Sequence, residues 1–297
     1  MYTEAIVTGI TVLNIWMYVI RQMEFSYDKC MQSCVGCQDQ SLRAWDIAVA
    51  FYTGSITKSP SDNGILHYTL VQTMCETFGT CKNGLNDKIY TLFNEAKDSI
   101  LDDRCDPVGK NIKMIESLMT VPLVQGMLYE VYREDRFADA NKRVEAKGAT
   151  FAAAVLPQVA FCNSNWASAI YKTVRIGYDR RTSFEVVKDA IERQYECMKI
   201  TCEDIGGIVR PGGGYFDNAE PCGEYLSQLA SASSNSDSDS NSGPNSAAIG
   251  GIAGGAFAVV LFSVLVLTRK KRREKSVEEP VDLKMTTQTE EADNKIV

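Results

Sequence analysis

Two tyrosines and an arginine share one side of a predicted helix in the stretch VPLVQGMLYEVYREDR. Gln125, Tyr129, Tyr132 and Arg136 follow one another at steps of four, three and four residues, which places them on one helix face. Phenol oxygens are hard donors that suit ferric iron, and an arginine can hold a small anion through two hydrogen bonds. From this helix alone, tyrosines at the boundary of a buried face are the more common interpretation.

A second stretch, AWDIAVAFYTGS at positions 44–55, places one carboxylate, Asp46, in an otherwise apolar run. Tyr52 lies six residues further on, about 240° around a regular helix, so Asp46 and Tyr52 do not share a face. Alone, Asp46 is the carboxylate of a helix edge. Any site that uses it needs a partner from elsewhere in the chain.

Enzymatic chemistry is not predicted. The sequence contains no GxSxG, HExxH or Walker loop, and no GxGxxG that opens a helix. The single histidine, His67, stands between Leu66 and Tyr68, where a structural role is the more common one. A net charge of −7 argues against a nucleic-acid partner, since phosphate binding requires a basic surface.

The ten cysteines all precede residue 223. An even number confined to one part of the chain favours disulfides in an oxidising compartment. Zinc is the alternative, because Cys34 and Cys37 form a CxxC, but there is no second CxxC and only one histidine. Two local pairings are predicted, Cys75–Cys81 and Cys197–Cys202, although sequence alone does not determine connectivity.

Residues 247–268 form a run of 22 residues without a charge, followed at once by the basic cluster RKKRREK. The run is long enough to cross a bilayer, and the cluster predicts that the C-terminus is cytoplasmic. The chain is thus predicted to be single-pass, with residues 1–226 as an ectodomain, residues 227–246 as a Ser/Asn/Asp-rich stalk and residues 269–297 as the tail. Two GxxxG pairs in the span are compatible with a homodimer through this helix.

The N-terminal run is apolar but has no basic region before it. Ile6, Ile10, Leu13, Met17 and Ile20 recur at spacings of three and four, which predicts an amphipathic helix of the domain rather than a signal peptide. We therefore expect a true start upstream of this sequence; an uncleaved signal anchor is the alternative.

Periodicity after Cys37 predicts a mainly α fold, a disulfide-linked helical bundle. Ser41 is predicted to cap a helix that ends near Tyr52. Pro122 is expected to kink or divide the helix that contains it, and the glycine-rich residues 203–222 are predicted to form a loop-rich closing segment. Further helices are predicted at 65–77, 86–102, 109–137, 138–160, 164–176 and 182–198.

Four stretches in register resemble the algal iron-assimilation family, which includes low-iron-inducible periplasmic proteins and membrane-anchored phytotransferrins. They are AWDIAVAFYTGS, CETFGTC at 75–81, MTVPLVQGMLYEVY at 119–132 and VKDAIERQYECMKITCEDIGGI at 187–208. The resemblance covers residues 5–222, and the stalk, span and basic tail are similar to those of the anchored members.

The resemblance implies a plasma-membrane protein that binds ferric iron with carbonate for endocytic uptake. Within it, the implied metal ligands are Asp46, Tyr52, Tyr68, Tyr129 and Tyr132, with Arg136 and Gln125 at the anion. The sequence departs from the family at Ile47, where a second acidic residue is usual, and at Gln72–Met74, where charged residues are usual. These departures favour the alternative, a cell-surface interaction or adhesion protein that uses the same scaffold without a metal.

Overall fold

The computed structural model describes residues 2–32, 34–54, 66–137, 141–177 and 183–223. These residues form a mainly helical unit, and within them the only β-type pairing is an isolated bridge between Val209 and Tyr215. The helices are α1 (Tyr2–Gly9), α2 (Trp16–Met31), α3 (Cys37–Thr53), α4 (His67–Phe78), α5 (Leu85–Leu101), α6 (Cys105–Arg136), α7 (Lys142–Cys162), α8 (Ser164–Val174), α9 (Phe184–Glu192), α10 (Tyr195–Met198) and α11 (Cys202–Ile205).

The predicted mainly α fold is confirmed for this unit. The predicted stalk, transmembrane helix and tail at 227–297 lie outside the described residues. Among the described residues, one helical segment, Ala5–Met31, has the length and apolar composition of a membrane span, as signal sequences and core helices also do.

The predicted apolar stripe of the first helix is largely wrong. Ile6 and Met17 are 62% and 58% exposed, whereas Val12 and Val19 are buried. A π-helical segment, Ile10–Ile15, lies between α1 and α2. A π turn contains more residues than an α turn, so it rotates all later side chains relative to an uninterrupted 3.6-residue repeat.

The predicted cap of α3 is wrong, and so is one of the two alternatives predicted for Pro122. Ser41 does not cap α3, which begins four residues earlier at Cys37, after Gly36. Its buried hydroxyl instead donates to the Ser26 carbonyl at 2.8 Å. Pro122 does not divide α6, which is one helix of 32 residues.

Helix α6 is the central element and contacts α2, α4, α5, α7 and α9. Its first half packs with α2, α3 and α5 around Trp45, Phe93 and Ile115. Its second half packs with α7, α8 and α9 around Met127, Phe151 and Phe184. The unit therefore has two hydrophobic clusters, arranged along one helix.

All ten cysteines form disulfides. The predicted pair Cys75–Cys81 is confirmed, whereas the predicted pair Cys197–Cys202 is wrong, because each partner bonds to a cysteine farther away in sequence. The remaining disulfides are Cys30–Cys105, Cys34–Cys37, Cys162–Cys197 and Cys202–Cys222. The CxxC, for which zinc was the alternative, is one of these disulfides.

Candidate functional site

The C-terminal end of α6 meets the beginning of α9. Asp135 accepts a hydrogen bond from the backbone N–H of Phe184 at 3.2 Å, so a side chain of α6 satisfies the first turn of α9. Arg136 forms salt bridges with Asp135, at 3.1 Å, and with Glu185. Glu185 also accepts a hydrogen bond from the Asn218 amide at 3.2 Å. These contacts place two carboxylates against one guanidinium.

The closing segment adds a second arginine–carboxylate pair. The Arg210 N–H donates to the Gly214 carbonyl at 2.9 Å, next to the bridge between Val209 and Tyr215. Gly212, Gly213 and Gly214 all have positive φ, a backbone conformation that glycine adopts without strain. This turn brings Arg210 into a salt bridge with Asp217.

Tyr132 lies between these two pairs. Its ring packs edge-on against Phe184 and Phe137, at centroid distances of 4.8 and 5.6 Å, and tilted against Phe216. Its hydroxyl makes a long hydrogen bond, 3.5 Å, to the backbone carbonyl of Asp217. The ring is thus fixed by aromatic packing, while its oxygen lies near charged groups.

The surrounding charges act on the Tyr132 phenol in opposite directions. Burial raises its pKa; Arg136 and Arg210 lower it, whereas Asp217 and Asp135 raise it further, and the net shift is upward. For Glu185, burial raises the pKa, but hydrogen bonds from its own N–H and from Asn218, with the charge of Arg136, lower it overall. Glu185 is therefore ionised at neutral pH and Tyr132 is protonated.

A cavity of about 440 Å³ adjoins this site and shares Glu185 and Asn218 with it. Its other lining side chains include Asp189, Glu192, Glu220 and Lys188. Glu192 is already paired, with Lys188 at 2.5 Å and with the Gly223 N–H at 2.7 Å. The cavity carries more carboxylates than cations, which suits a cationic ligand.

The other predicted ligands lie elsewhere. Asp46 is exposed and forms a salt bridge with Lys97 at 2.8 Å. Tyr52 is fully buried, and its hydroxyl donates to the Asn86 amide oxygen at 2.5 Å. Tyr68 packs edge-on against Tyr52 at 6.3 Å. Burial raises the pKa of Tyr52 well above its ordinary value, with smaller contributions from Tyr90 and Tyr68.

The five predicted metal ligands do not lie together. The Tyr52 ring is 5.8 Å from that of His67, whose Nε2 is 2.8 Å from the Met119 carbonyl oxygen of α6. Tyr132 is thirteen residues further along α6, roughly 20 Å at 1.5 Å per residue. Ligands of one metal ion lie about 2 Å from it, so Asp46, Tyr52 and Tyr68 cannot share an ion with Tyr132.

Tyr129 and Gln125, on the same helix, have structural partners. The Arg133 guanidinium lies over the Tyr129 ring at 5.7 Å. Gln125 is 1% exposed, and its amide donates to the Ile205 carbonyl at 2.8 Å. Gln125 therefore connects α6 to α11 and has no access to an anion.

Sequence reasoning did not identify Glu185, Asp217, Arg210 or Asn218 as neighbours of Tyr132. All four come from residues 183–218, which only the tertiary fold brings to the end of α6. One signal was present: the glycine run after Arg210 predicts a tight turn, and a tight turn brings its two flanks together.

Among the described residues, no group of three His, Cys, Asp or Glu side chains is arranged as a metal site. A tyrosine-based site with two carboxylates falls outside that pattern. Comparison with family models, curated proteins and solved structures found no match for this chain.

Proposed function

We propose that this chain is a cell-surface protein that binds ferric iron, with carbonate as the accompanying anion, at the site around Tyr132. The observation that supports it is the set of groups within one small region: the Tyr132 phenol, the carboxylates of Asp217 and Glu185, and the guanidiniums of Arg136 and Arg210. Phenolate and carboxylate oxygens are hard donors that suit a hard cation.

Each carboxylate of the site is paired with an arginine before iron arrives. A trivalent cation placed between Glu185 and Asp217 would compete with Arg136 and Arg210 for those carboxylates. The displaced guanidiniums would then be available to a carbonate, which an arginine can hold through two parallel hydrogen bonds. Cation and anion therefore bind more favourably together than either does alone.

Tyr132 must lose its proton to coordinate iron. Because burial raises the pKa of its phenol, binding releases a proton that is not released at neutral pH in the free protein. Iron affinity is therefore expected to increase as the pH rises.

The proposed topology follows from the sequence. The sequence predicts a membrane span at 247–268 with a cytoplasmic basic tail, and on that proposed topology the disulfide-rich unit lies outside the membrane. Endocytic uptake of the bound iron is part of the proposal and rests on the family resemblance alone.

The test is a titration of the purified full-length chain, in detergent, with ferric iron supplied as a weak chelate, with and without bicarbonate. We expect saturable binding of one ferric ion, accompanied by a visible tyrosinate-to-iron band. Without bicarbonate the affinity for iron should be at least about tenfold lower. A folded, fully oxidised chain that takes up no iron under either condition would contradict the proposal.

A second function is supported by a different observation. The first helical segment exposes the apolar side chains of Ile6, Val7 and Met17, at 62%, 51% and 58%, and exposed apolar side chains can serve an interaction site where they form a patch. On this view, the chain is an adhesion or interaction protein without a metal. It predicts concentration-dependent self-association or partner binding that is lost in Ile6→Asp/Met17→Asp and unaffected by iron.

A further inference from the structure

The disulfide between Cys34 and Cys37 closes the turn between α2 and α3. The two cysteines are separated by three positions, and their Cα atoms are 5.0 Å apart. The backbone N–H of Cys37 donates to the Cys34 carbonyl at 2.9 Å, so the turn is also closed by its backbone. The other four disulfides span 6 to 75 positions.

Cys34 and Cys37 differ in their exposure to solvent. Cys34 is exposed, as is its neighbour Val35, whereas Cys37 is only 2% exposed. A Cβ added at Gly36 would have no atom within 4 Å, so the space beside the turn is open. An incoming thiolate must approach a disulfide sulfur directly. It therefore reaches Cys34 and not Cys37.

The buried partner is well placed as a leaving group. Cys37 is the first residue of α3, a helix of 17 residues, and the N-terminus of a helix carries a partial positive charge. That partial charge favours the thiolate form of a cysteine placed there. A more stable leaving thiolate makes the disulfide easier to open.

The fold does not depend on this disulfide. A bond that closes so short a loop restricts the unfolded chain least among the five. The helices it joins are held by other contacts: Ser26 and Ser41 exchange hydrogen bonds with each other's carbonyls, both at 2.8 Å. Gln38 in the first turn of α3 also donates to the Leu101 carbonyl at 3.1 Å. Opening the disulfide leaves these contacts in place.

We propose that Cys34–Cys37 is a redox-active disulfide that accepts two electrons from an external dithiol. One thiolate of the dithiol attacks Sγ of Cys34, which forms a mixed disulfide and releases the Cys37 thiolate. The second thiolate of the dithiol then attacks the other sulfur of the same dithiol, which is bonded to Cys34 in the mixed disulfide. This step releases the Cys34 thiolate. The dithiol leaves as a disulfide, and the protein retains two thiols. This inference does not rest on the proposed iron site, with which it shares no residue.

The test is a redox equilibrium of the folded, full-length chain in dithiothreitol buffers. Free thiols are alkylated after an acid quench and quantified by peptide mass spectrometry. The internal control is Cys75–Cys81, which also closes a short loop, of six positions, and has an exposed member. We expect Cys34–Cys37 to be half reduced at a ratio of reduced to oxidised dithiothreitol at least tenfold lower than the ratio that Cys75–Cys81 requires. This tenfold difference corresponds to a reduction potential about 30 mV more oxidising.

Two single variants test the direction of attack. Cys37→Ser leaves Cys34 as an exposed thiol, and Cys34→Ser leaves Cys37 as a buried one. We expect the first to react with an aromatic disulfide reagent at least tenfold faster than the second. The proposal is overturned if Cys75–Cys81 opens together with or before Cys34–Cys37. The wild-type experiment decides this even where a variant fails to fold.

Discussion

Arg136 in the last turn of α6 forms a salt bridge with Glu185 in the first turn of α9, 49 positions away. Both side chains are about two-fifths exposed, so the pair contributes little to the free energy of unfolding, under about 1 kcal/mol. Its significance is positional, because it joins the end of α6, where Arg136 lies near the Tyr132 phenol, to the start of α9.

The salt bridge has a consequence for stability at low pH. The pKa of Glu185 is lowered in the folded state, where hydrogen bonds and Arg136 outweigh the upward effect of burial. A lowered carboxyl pKa contributes stability above the unfolded-state value, which is lost as the pH falls through the folded-state value. We expect Glu185→Gln to be less stable than wild type at pH 7, and the difference to decrease as the pH falls below 4.5, the ordinary pKa of the carboxyl. Urea unfolding over this pH range measures the difference; a difference that does not change with pH would contradict the prediction.

His67 is expected to make the free energy of unfolding depend on pH more strongly than Glu185 does. Here burial, rather than a favourable charge partner, shifts the pKa. It is fully buried, its Nδ1 has no hydrogen-bond partner, and burial lowers its pKa to about 4 despite the hydrogen bond with the Met119 carbonyl. The unfolded chain therefore binds a proton near pH 6.5 that the folded chain does not. The contribution of His67 to the free energy of unfolding is fully present above pH 6.5 and is about 3 kcal/mol smaller at pH 4.

The control is His67→Gln, which does not titrate. Its free energy of unfolding should be lower than that of wild type at neutral pH, and the difference should shrink between pH 6.5 and 4. A difference that stays constant over that range would mean that His67 titrates normally in the fold.

Two glycines test the contact between α6 and α7. A Cβ at Gly126 would lie 2.4 Å from the Phe151 ring, whereas one at Gly148 would lie 3.5 Å from Glu130 Cβ. Gly126→Ala is expected to cost about 1–3 kcal/mol through overpacking. Gly148→Ala should be neutral or stabilising by up to about 1 kcal/mol, because alanine favours the helix. Thermal unfolding of both variants checks this, and equal effects would contradict the close approach of Phe151 to Gly126.

Tyr52 is expected to stabilise the fold rather than bind a metal. Tyr52→Phe removes the donor to the half-buried Asn86 amide oxygen and should cost about 1–2 kcal/mol. Asp46→Ala removes only an exposed salt bridge with Lys97 and should cost less than about 1 kcal/mol. Urea unfolding separates the two. Iron binding that is abolished by Asp46→Ala would show that the metal lies elsewhere than at Tyr132.

Local sequence signals predicted the helices well and the site only in part. The helix predicted at 86–102 is Leu85–Leu101 in the structure, because its periodicity and its flanking glycine are local properties. The stripe through Ile6 and Met17 was wrong, and a π turn, which no residue type specifies, lies between them. The Cys197–Cys202 prediction was wrong because disulfide partners depend on the tertiary fold.

The candidate site also combines residues predicted from local spacing with residues that only the tertiary fold brings together. The sequence predicted Tyr132 and Arg136 as neighbours because one helix face carries both. Their partners Glu185 and Asp217 were not, since the contacts span 49 and 85 positions. Spacing along the chain cannot predict such distances.

The decisive measurement for the Tyr132 site is the visible spectrum of the ferric-loaded, full-length chain in bicarbonate, compared between wild type, Tyr132→Phe and Tyr129→Phe. Tyr129 is the matched control, because it lies three residues away on the same helix and packs with Arg133. We expect a tyrosinate-to-iron band in wild type and Tyr129→Phe that disappears in Tyr132→Phe, with iron affinity at least about a hundredfold lower. A band that persists in Tyr132→Phe, or that is lost instead in Tyr129→Phe, would contradict an iron site at Tyr132.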